Sequence, residues 1–327
     1  MRAYLVTGGA GFIGSHLVEA LIARGDRVRV LDDLSSGKRE NLPSGAELIV
    51  GDVADAALVA RAMEGMQGCF HLAAIASVQR SLEEWLTTNR ANLVGSIAVF
   101  DAARRQPTPV PVVYASSAAI YGDNSDMPIA ESAPPAPLSA YGADKMASEL
   151  HGRVAWLAHG VPTVGFRFFN VYGPRQDPHS PYSGVIAIFA DRIARDHPIT
   201  IFGDGEQVRD FVYVADVVRF LLAAMTRPDL AGQVFNIATG RPTSVNELAR
   251  AIAATVGRPA RIERAPARTG DIRLSIGDPA RLNATFGFAA ETRLIDGLKP
   301  TLAASGPDIR AEAMNAGRAP RPAPLTT

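Results

Sequence analysis

The chain has 327 residues, 47% of them apolar, enough for a sizeable core in one large domain or two smaller ones. Lys plus Arg and Asp plus Glu number 33 each, so no net field draws the chain to nucleic acid or to an anionic membrane. The single Cys69 excludes an internal disulfide, no Cys/His cluster has metal-ligand spacing, and no apolar run is long enough to span a membrane.

A first strand is expected over Ala3–Val6. It leaves no room ahead of it for a signal peptide and makes a cytoplasmic protein the expectation. The loop Thr7-Gly8-Gly9-Ala10-Gly11-Phe12-Ile13-Gly14 follows, and then an amphipathic helix to Arg24 with Ile13, Leu17, Leu21 and Ile22 on one side. Strand, glycine turn and helix together form the context of a dinucleotide site. Gly8, Gly11 and Gly14 would let the backbone approach a pyrophosphate that faces the helix N-terminus. The second strand, Val28–Leu31, ends in Asp32-Asp33. An acid there accepts hydrogen bonds from ribose hydroxyls and repels a 2′-phosphate, which favours NAD over NADP. Asp32 is the expected ribose contact, with Asp33 beside it at the cofactor; the alternative for Asp33 is a solvated turn residue.

Strands are then expected at Glu47–Val50, Cys69–Leu72, Pro111–Tyr114 and Thr163–Phe166, with helices near 55–65, 81–105 and 141–159. This alternation predicts a doubly wound, Rossmann-type parallel sheet. Polar or small residues follow the strand ends: Asp52, Ala73-Ala74, Ser116-Ser117 and Asn170. Ligands bind at the carboxyl ends of strands in such sheets, so the clustering marks a site. A Pro-rich loop fills 121–140. Past Asn170 the pattern is less regular, with a helix near 185–195 and short strands at 198–202 and 211–214. Phe235–Ala238 is expected to return to the main sheet, which would interleave two parts of the chain. The Ala/Pro-rich stretch 304–327 reads as a disordered tail. The histidines are scattered; His71 reads as structural, and His151, His159, His179 and His197 as surface residues.

Tyr141 and Lys145 lie four residues apart, on one face of the predicted helix. A nearby cation favours ionisation of a phenol whose ordinary pKa is about 10. The pair gains weight because the glycine loop and Ser117 precede it in order.

On these residues the chain resembles the extended short-chain dehydrogenase/reductase superfamily. Within it, the chain looks like the NAD-dependent nucleotide-sugar epimerases of the UDP-glucose 4-epimerase type. The motifs that carry the likeness are Thr-Gly-Gly-Ala-Gly-Phe-Ile-Gly, Ala-Ser-Ser-Ala-Ala-Ile-Tyr-Gly, Tyr-x-x-x-Lys, Arg-Phe-Phe-Asn-Val-Tyr-Gly-Pro-Arg and Gly-Asp-Gly-Glu-Gln-Val-Arg-Asp-Phe-Val-Tyr-Val, and the likeness runs from residue 1 to about 300. The resemblance implies an NAD-binding domain of 1–168 plus about 211–240. A smaller α/β nucleotide-sugar domain would take about 169–210 plus 241–303. It implies Ser117, Tyr141 and Lys145 as the catalytic set. Thr7 to Gly14, Asp32, Asp52, Val53, Leu72, Ala73, Ala74 and Asn92 would lie at NAD. Asn170, Val185, Phe202, Arg209, Arg268 and Asp271 would hold a UDP-sugar, two arginines suiting a diphosphate. A surface salt bridge is the alternative for each arginine, since Asp210 and Asp271 lie close in sequence, and the diphosphate is the preferred reading.

The implied reaction inverts C4 of the sugar through a transient 4-keto intermediate. Relatives that dehydrate or decarboxylate carry an acid after the serine; Ala118-Ala119 here can move no proton. Ser275 stands where hexose-restricted relatives carry a bulky Tyr, which implies room for an N-acetyl group. A UDP-uronic acid 4-epimerase remains an alternative, with Arg175 the cation for a C6 carboxylate and Asp177 beside it weighing against that. So does a nucleotide-sugar 4-reductase. An NAD-sensing regulator would keep its binding in Tyr141→Phe, where an enzyme would lose its turnover. Surplus apolar residues on 92–105 and 141–159 match the four-helix homodimer contact of relatives.

Overall fold

The computed structural model describes residues 1–177, 184–267 and 271–304. Arg268, His179 and the tail from residue 305 lie outside the described residues. β1 (Ala3–Thr7) leads through the glycine turn into α1 (Phe12–Ala23); β2 (Arg27–Asp32), β3 (Ala46–Val50), α2 (Ala56–Met63) and β4 (Gly68–His71) follow. The stretch expected as one helix near 81–105 is divided. It holds α3 (Val78–Glu83), α4 (Trp85–Asn89), a π-turn over Arg90–Val94 and α5 (Gly95–Arg104). β5 (Val112–Ser117) ends in a 3-10 turn (Ala118–Tyr121), and α6 (Ala140–His159) leads to β6 (Thr163–Phe168) and the short β7 (Asn170–Tyr172). Next come α7 (Val185–Ala194), β8 (Ile199–Phe202), β9 (Val208–Tyr213), α8 (Val214–Ala224) and β10 (Gln233–Ile237). The rest comprises β11 (Pro242–Ser244), α9 (Val245–Val256), β12 (Ile262–Ala265), β13 (Leu274–Ser275), α10 (Ala280–Phe286) and α11 (Leu294–Ala303).

Seven strands form a parallel sheet in the order β10-β6-β5-β4-β1-β2-β3. All five residues of β1 are buried, as a central strand with helices on both faces requires. Its side chains alternate between two cores. Tyr4 and Val6 pack with Leu17, Leu21 and Phe220 of α1 and α8. Ala3 and Leu5 pack with Val59, Met63 and Val99 of α2 and α5. From β1 the chain first moves outward to β2 and β3, then turns back through β4, β5 and β6. The reversal between β1 and β4 is a topological switch point, where a crevice opens at the carboxyl ends of the strands. β10 does return to this sheet, with Phe235 opposite Phe166. A third core, around Phe189, Ile201, Leu248 and Leu298, joins α7, β8, α9 and α11 outside the main sheet.

The α6 termini are set by the sequence. Ser139 caps the start, its hydroxyl accepting from Gly142 N at 3.1 Å, and Gly160 closes the end in the left-handed region at φ 67°.

Candidate active site

The crevice at the switch point is a cavity of about 450 Å³. One end is the glycine turn. Gly8 sits at φ +70°, and a Cβ there would lie 2.6 Å from the Ala73 backbone nitrogen; a Cβ on Gly14 would collide with the Gly8 carbonyl. Only glycine lets β1, α1 and the strand-end loop after β4 meet this closely. α1 begins at Gly11 with no side-chain cap, which leaves first-turn N–H groups for an anion. Asp32, at the end of β2, lines the same cavity and is nearly buried. Its carboxylate accepts from Ala10 N and Leu34 N, each at 2.9 Å. Burial pushes its pKa up, against those bonds. Asp33 also lines the cavity but is exposed and bonded to Ser35. This cradle of small residues, helix start and acid fits a dinucleotide. Phe12, Ile13, Asp52, Val53, Leu72, Ala73 and Ala74 complete its walls.

Two residues expected at the cofactor sit behind the wall. Thr7 and Asn92 are both 0% exposed. Thr7 Oγ1 accepts from Ala73 N at 3.3 Å and donates to His71 Nδ1 at 2.8 Å. His71 Nε2 then reaches Ser96 Oγ at 3.0 Å, and Ser96 donates to the Asn92 carbonyl. Burial first, then the charge of Lys145, pushes His71 down to about 3, so it is a neutral link. The Asn92 amide holds both the N–H and the carbonyl of Ile75, at 2.8 and 3.2 Å. Ser36, Phe169 and Gln176 line the cavity as well. Of these, Phe169 carries a sequence signal, its place inside the Arg-Phe-Phe-Asn motif just past the carboxyl end of β6.

At the other end stand Ser117 from β5 and Tyr141 and Lys145 from α6, all three lining the cavity. Ser117 lies beside the Tyr141 phenol and favours its ionised form, and the Ser117 hydroxyl accepts from Ala119 N at 3.1 Å. Lys145 Nζ donates to the Ala115 carbonyl at 3.0 Å and lies 5.9 Å from the Tyr141 ring centre. Lys145 is 2% exposed, and burial pushes its ammonium down to about 8, opposed by Asp144 and Glu149. Burial pushes the Tyr141 phenol up, and Ser117 opposes it. The arrangement can pass a proton between a substrate hydroxyl and the phenol through Ser117.

The residues expected at the substrate divide. Asn170 lines the cavity, and Val185 opens α7 beside Gly184, which lines it too. Arg209, Asp271 and Ser275 gather along β9 and β13 instead. Arg209 Nη2 meets Asp271 Oδ1 at 2.6 Å, and Ser275 pairs in register with Arg209. Phe202 ends β8 and is half-buried. Asp210 is not the partner of Arg209; it is buried and holds Thr239 and Gly240. Among the described residues no group of three or more His, Cys, Asp or Glu could hold a metal ion, and no helix is long and apolar enough to cross a membrane.

A family model described as the NAD dependent epimerase/dehydratase family matches residues 4–238. The UDP-glucose 4-epimerase of Mycolicibacterium smegmatis is 40% identical over 304 residues, covering 91% of this chain and 96% of that one. The UDP-glucose 4-epimerase of Thermotoga maritima, solved with UDP-glucose, superposes with a TM-score of 0.89 at 40% identity, over 92% of this chain and 98% of that one. A UDP-N-acetylglucosamine 4-epimerase from Methanobrevibacter ruminantium, solved with UDP-N-acetylmuramic acid, gives 0.88 at 36%, over 93% and 97%. The family match reaches all seven strands of the large sheet, and the likeness to whole relatives runs along nearly the full chain. By both measures, the chain belongs to the NAD-dependent epimerase/dehydratase family.

Proposed function

We propose that the chain is a 4-epimerase of UDP-sugars, acting on UDP-Glc/UDP-Gal and also on UDP-GlcNAc/UDP-GalNAc. The observation that carries the reading is Ser117, Tyr141 and Lys145 on the wall of the dinucleotide cavity, followed by Ala118-Ala119, which offers no further acid or base. Bound NAD would supply the hydride acceptor and donor at C4, with no net oxidation. Gly8, Gly11 and Gly14 with the start of α1 would hold the pyrophosphate, and Asp32 would take the adenosine ribose. Tyr141, through Ser117, removes the proton of the C4 hydroxyl and returns it once the 4-keto sugar has turned over. Lys145 places a cation beside that proton transfer and would bond the nicotinamide ribose.

Asn170, Val185, Phe202, Arg209, Arg268 and Asp271 anchor the nucleoside diphosphate. Arg209 would exchange the Asp271 carboxylate for a diphosphate, which a guanidinium fork matches at least as well. The small Ser275 supports the N-acetylated substrates. Arg175 weighs against a uronic acid: its guanidinium is engaged by Glu19 at 2.6 Å, His16 at 2.7 Å and the Asn41 carbonyl. Exposed apolar side chains on α5 and α6 support a homodimer.

The test is to incubate the purified protein with UDP-Gal, UDP-GalNAc and UDP-galacturonic acid separately, without added cofactor, and to resolve the C4 epimers. The first two are expected to interconvert with their gluco partners. Failure on all three would sink the epimerase. Turnover of UDP-Gal without UDP-GalNAc would sink the role of Ser275, and turnover of the uronic acid alone would install that substrate instead.

A further inference from the structure

Tyr141, Lys145 and Glu149 recur at four-residue steps, so one face of α6 carries all three. Each meets its own point near the end of β5. Tyr141 meets Ser117, Lys145 meets the Ala115 carbonyl, and Glu149 Oε1 accepts from Ser116 Oγ at 2.5 Å. Glu149 also takes both ends of a guanidinium fork, from Arg167 Nε at 2.9 Å and Nη2 at 2.7 Å on β6. The two side chains are only 10% exposed. The remaining Arg167 nitrogen donates to Tyr121 Oη at 2.7 Å and to the Glu131 carbonyl at 3.1 Å. Tyr121 in turn donates to Asn236 of β10 at 2.7 Å. Glu149 is thus fastened to two strands at once and, through Arg167, to a third.

We propose that Glu149 and Arg167, neither of which lines the cavity, are positioning residues that hold α6 at the height on β5 where the Tyr141 phenol meets Ser117. A buried ion pair is a weak source of stability compared with apolar packing, so stability alone does not account for it. What the fork supplies is fixed distance and angle, which apolar side chains sliding on each other do not. Glu149 has a second effect, because its charge pulls the Lys145 ammonium upward against burial. The other groups facing Lys145 are Asp144, held by Asn89 at 2.7 Å on the α4 side, and neutral His71 on β4. Neither replaces Glu149 on the β5–β6 side.

This assignment rests on the epimerase reading for its kinetic arm only. Glu149→Gln keeps an acceptor for Ser116 and removes the charge. Its kcat on UDP-Gal is expected to fall on the order of 10- to 100-fold with KM and NAD content unchanged. The alkaline limb of its rate profile is expected to move down by about one pH unit, because Lys145 loses its proton earlier. Glu149→Met combined with Arg167→Met replaces the pair by apolar bulk. Its melting temperature is expected to match or exceed the wild type while kcat stays low. Recovery of kcat together with melting temperature in the double variant would overturn the proposal, as would an unmoved pH profile in Glu149→Gln. A crystal structure of the double variant reads the same point without turnover. The Tyr141 hydroxyl is expected farther from Ser117 than in the wild type, and an unchanged separation overturns the proposal even if the wild type proves inert on every UDP-sugar, a result that by itself defeats only the epimerase.

Discussion

Lys145 carries an ammonium into a place that works against the fold. Burial takes its pKa from the ordinary 10.5 to about 8, so between those values the folded protein binds fewer protons than the unfolded chain. Stability therefore rises with pH across that window, and at neutral pH the buried charge costs on the order of 3 kcal/mol. Lys145→Met relieves that cost but leaves the Ala115 carbonyl unpaired, a loss of about 1 kcal/mol. The charge term wins. In cofactor-stripped protein at pH 7 the variant is expected to melt a few degrees above the wild type, and turnover should vanish. By pH 10 the gap in thermal melts should have closed; a lower melting temperature at pH 7 would reject this account. That Tyr141, Lys145, Ser117 and Asp32 meet at one cavity was legible in the sequence, because motif type and order place them on strand ends and one helix of the same sheet. Thr7 and Asn92 show the limit. A polar residue near a strand end is visible in sequence, but whether its side chain faces the cavity or is spent on His71 and Ile75 depends on tertiary partners. Arg167 opens one of the quoted motifs and Glu149 follows Lys145 by four residues, but their pairing across 18 residues left no local signal.

The first turn of α6 brings the phenol to the serine, and glycine permits it. A Cβ on Gly142 would lie 2.6 Å from the Ala119 carbonyl and 3.0 Å from Pro137 Cβ. The helix therefore rests directly on the 3-10 turn that follows Ser117. In an open helix Gly→Ala stabilises by about 1 kcal/mol. Here the overlap with backbone outweighs that gain, since overpacking costs roughly 1–3 kcal/mol. Gly142→Ala is expected to be less stable in urea and to lower kcat by about 100-fold as Tyr141 is lifted from Ser117. A variant as stable and active as the wild type would show that the contact does not set the geometry. The strands around this helix could be read from their apolar runs, because both faces of the sheet are covered. The division of 78–104 into three helices and a π-turn could not be. Its apolar pattern runs on past Glu84, and the π-turn is fixed by Asn92 reaching across to Ile75.

Seen whole, α6 has two working faces. The inner one carries Tyr141, Lys145 and Glu149. The outer one shows Leu150 and Val154 to solvent, next to Val94 and Ile97 at the α5 end, all between 37% and 57% exposed. Exposed apolar side chains are ordinary when scattered, but these lie on two neighbouring helices. A second copy packed on them would bury the outer face and brace the helix whose height on β5 decides the chemistry. A stable contact of this kind needs on the order of 1,000 Å² or more in total, more than four side chains supply, so the flanking turns of both helices must take part. Leu150→Asp with Val154→Asp puts like charges at its centre. Sedimentation velocity is expected to give a dimer for the wild type and a monomer for the double variant. Because the outer face does not touch the cavity, the monomer should keep its NAD and lose kcat rather than gain KM. A wild type that sediments as a monomer at micromolar concentration would remove the brace, and the inner face would then have to hold its geometry through Glu149 and Arg167 alone.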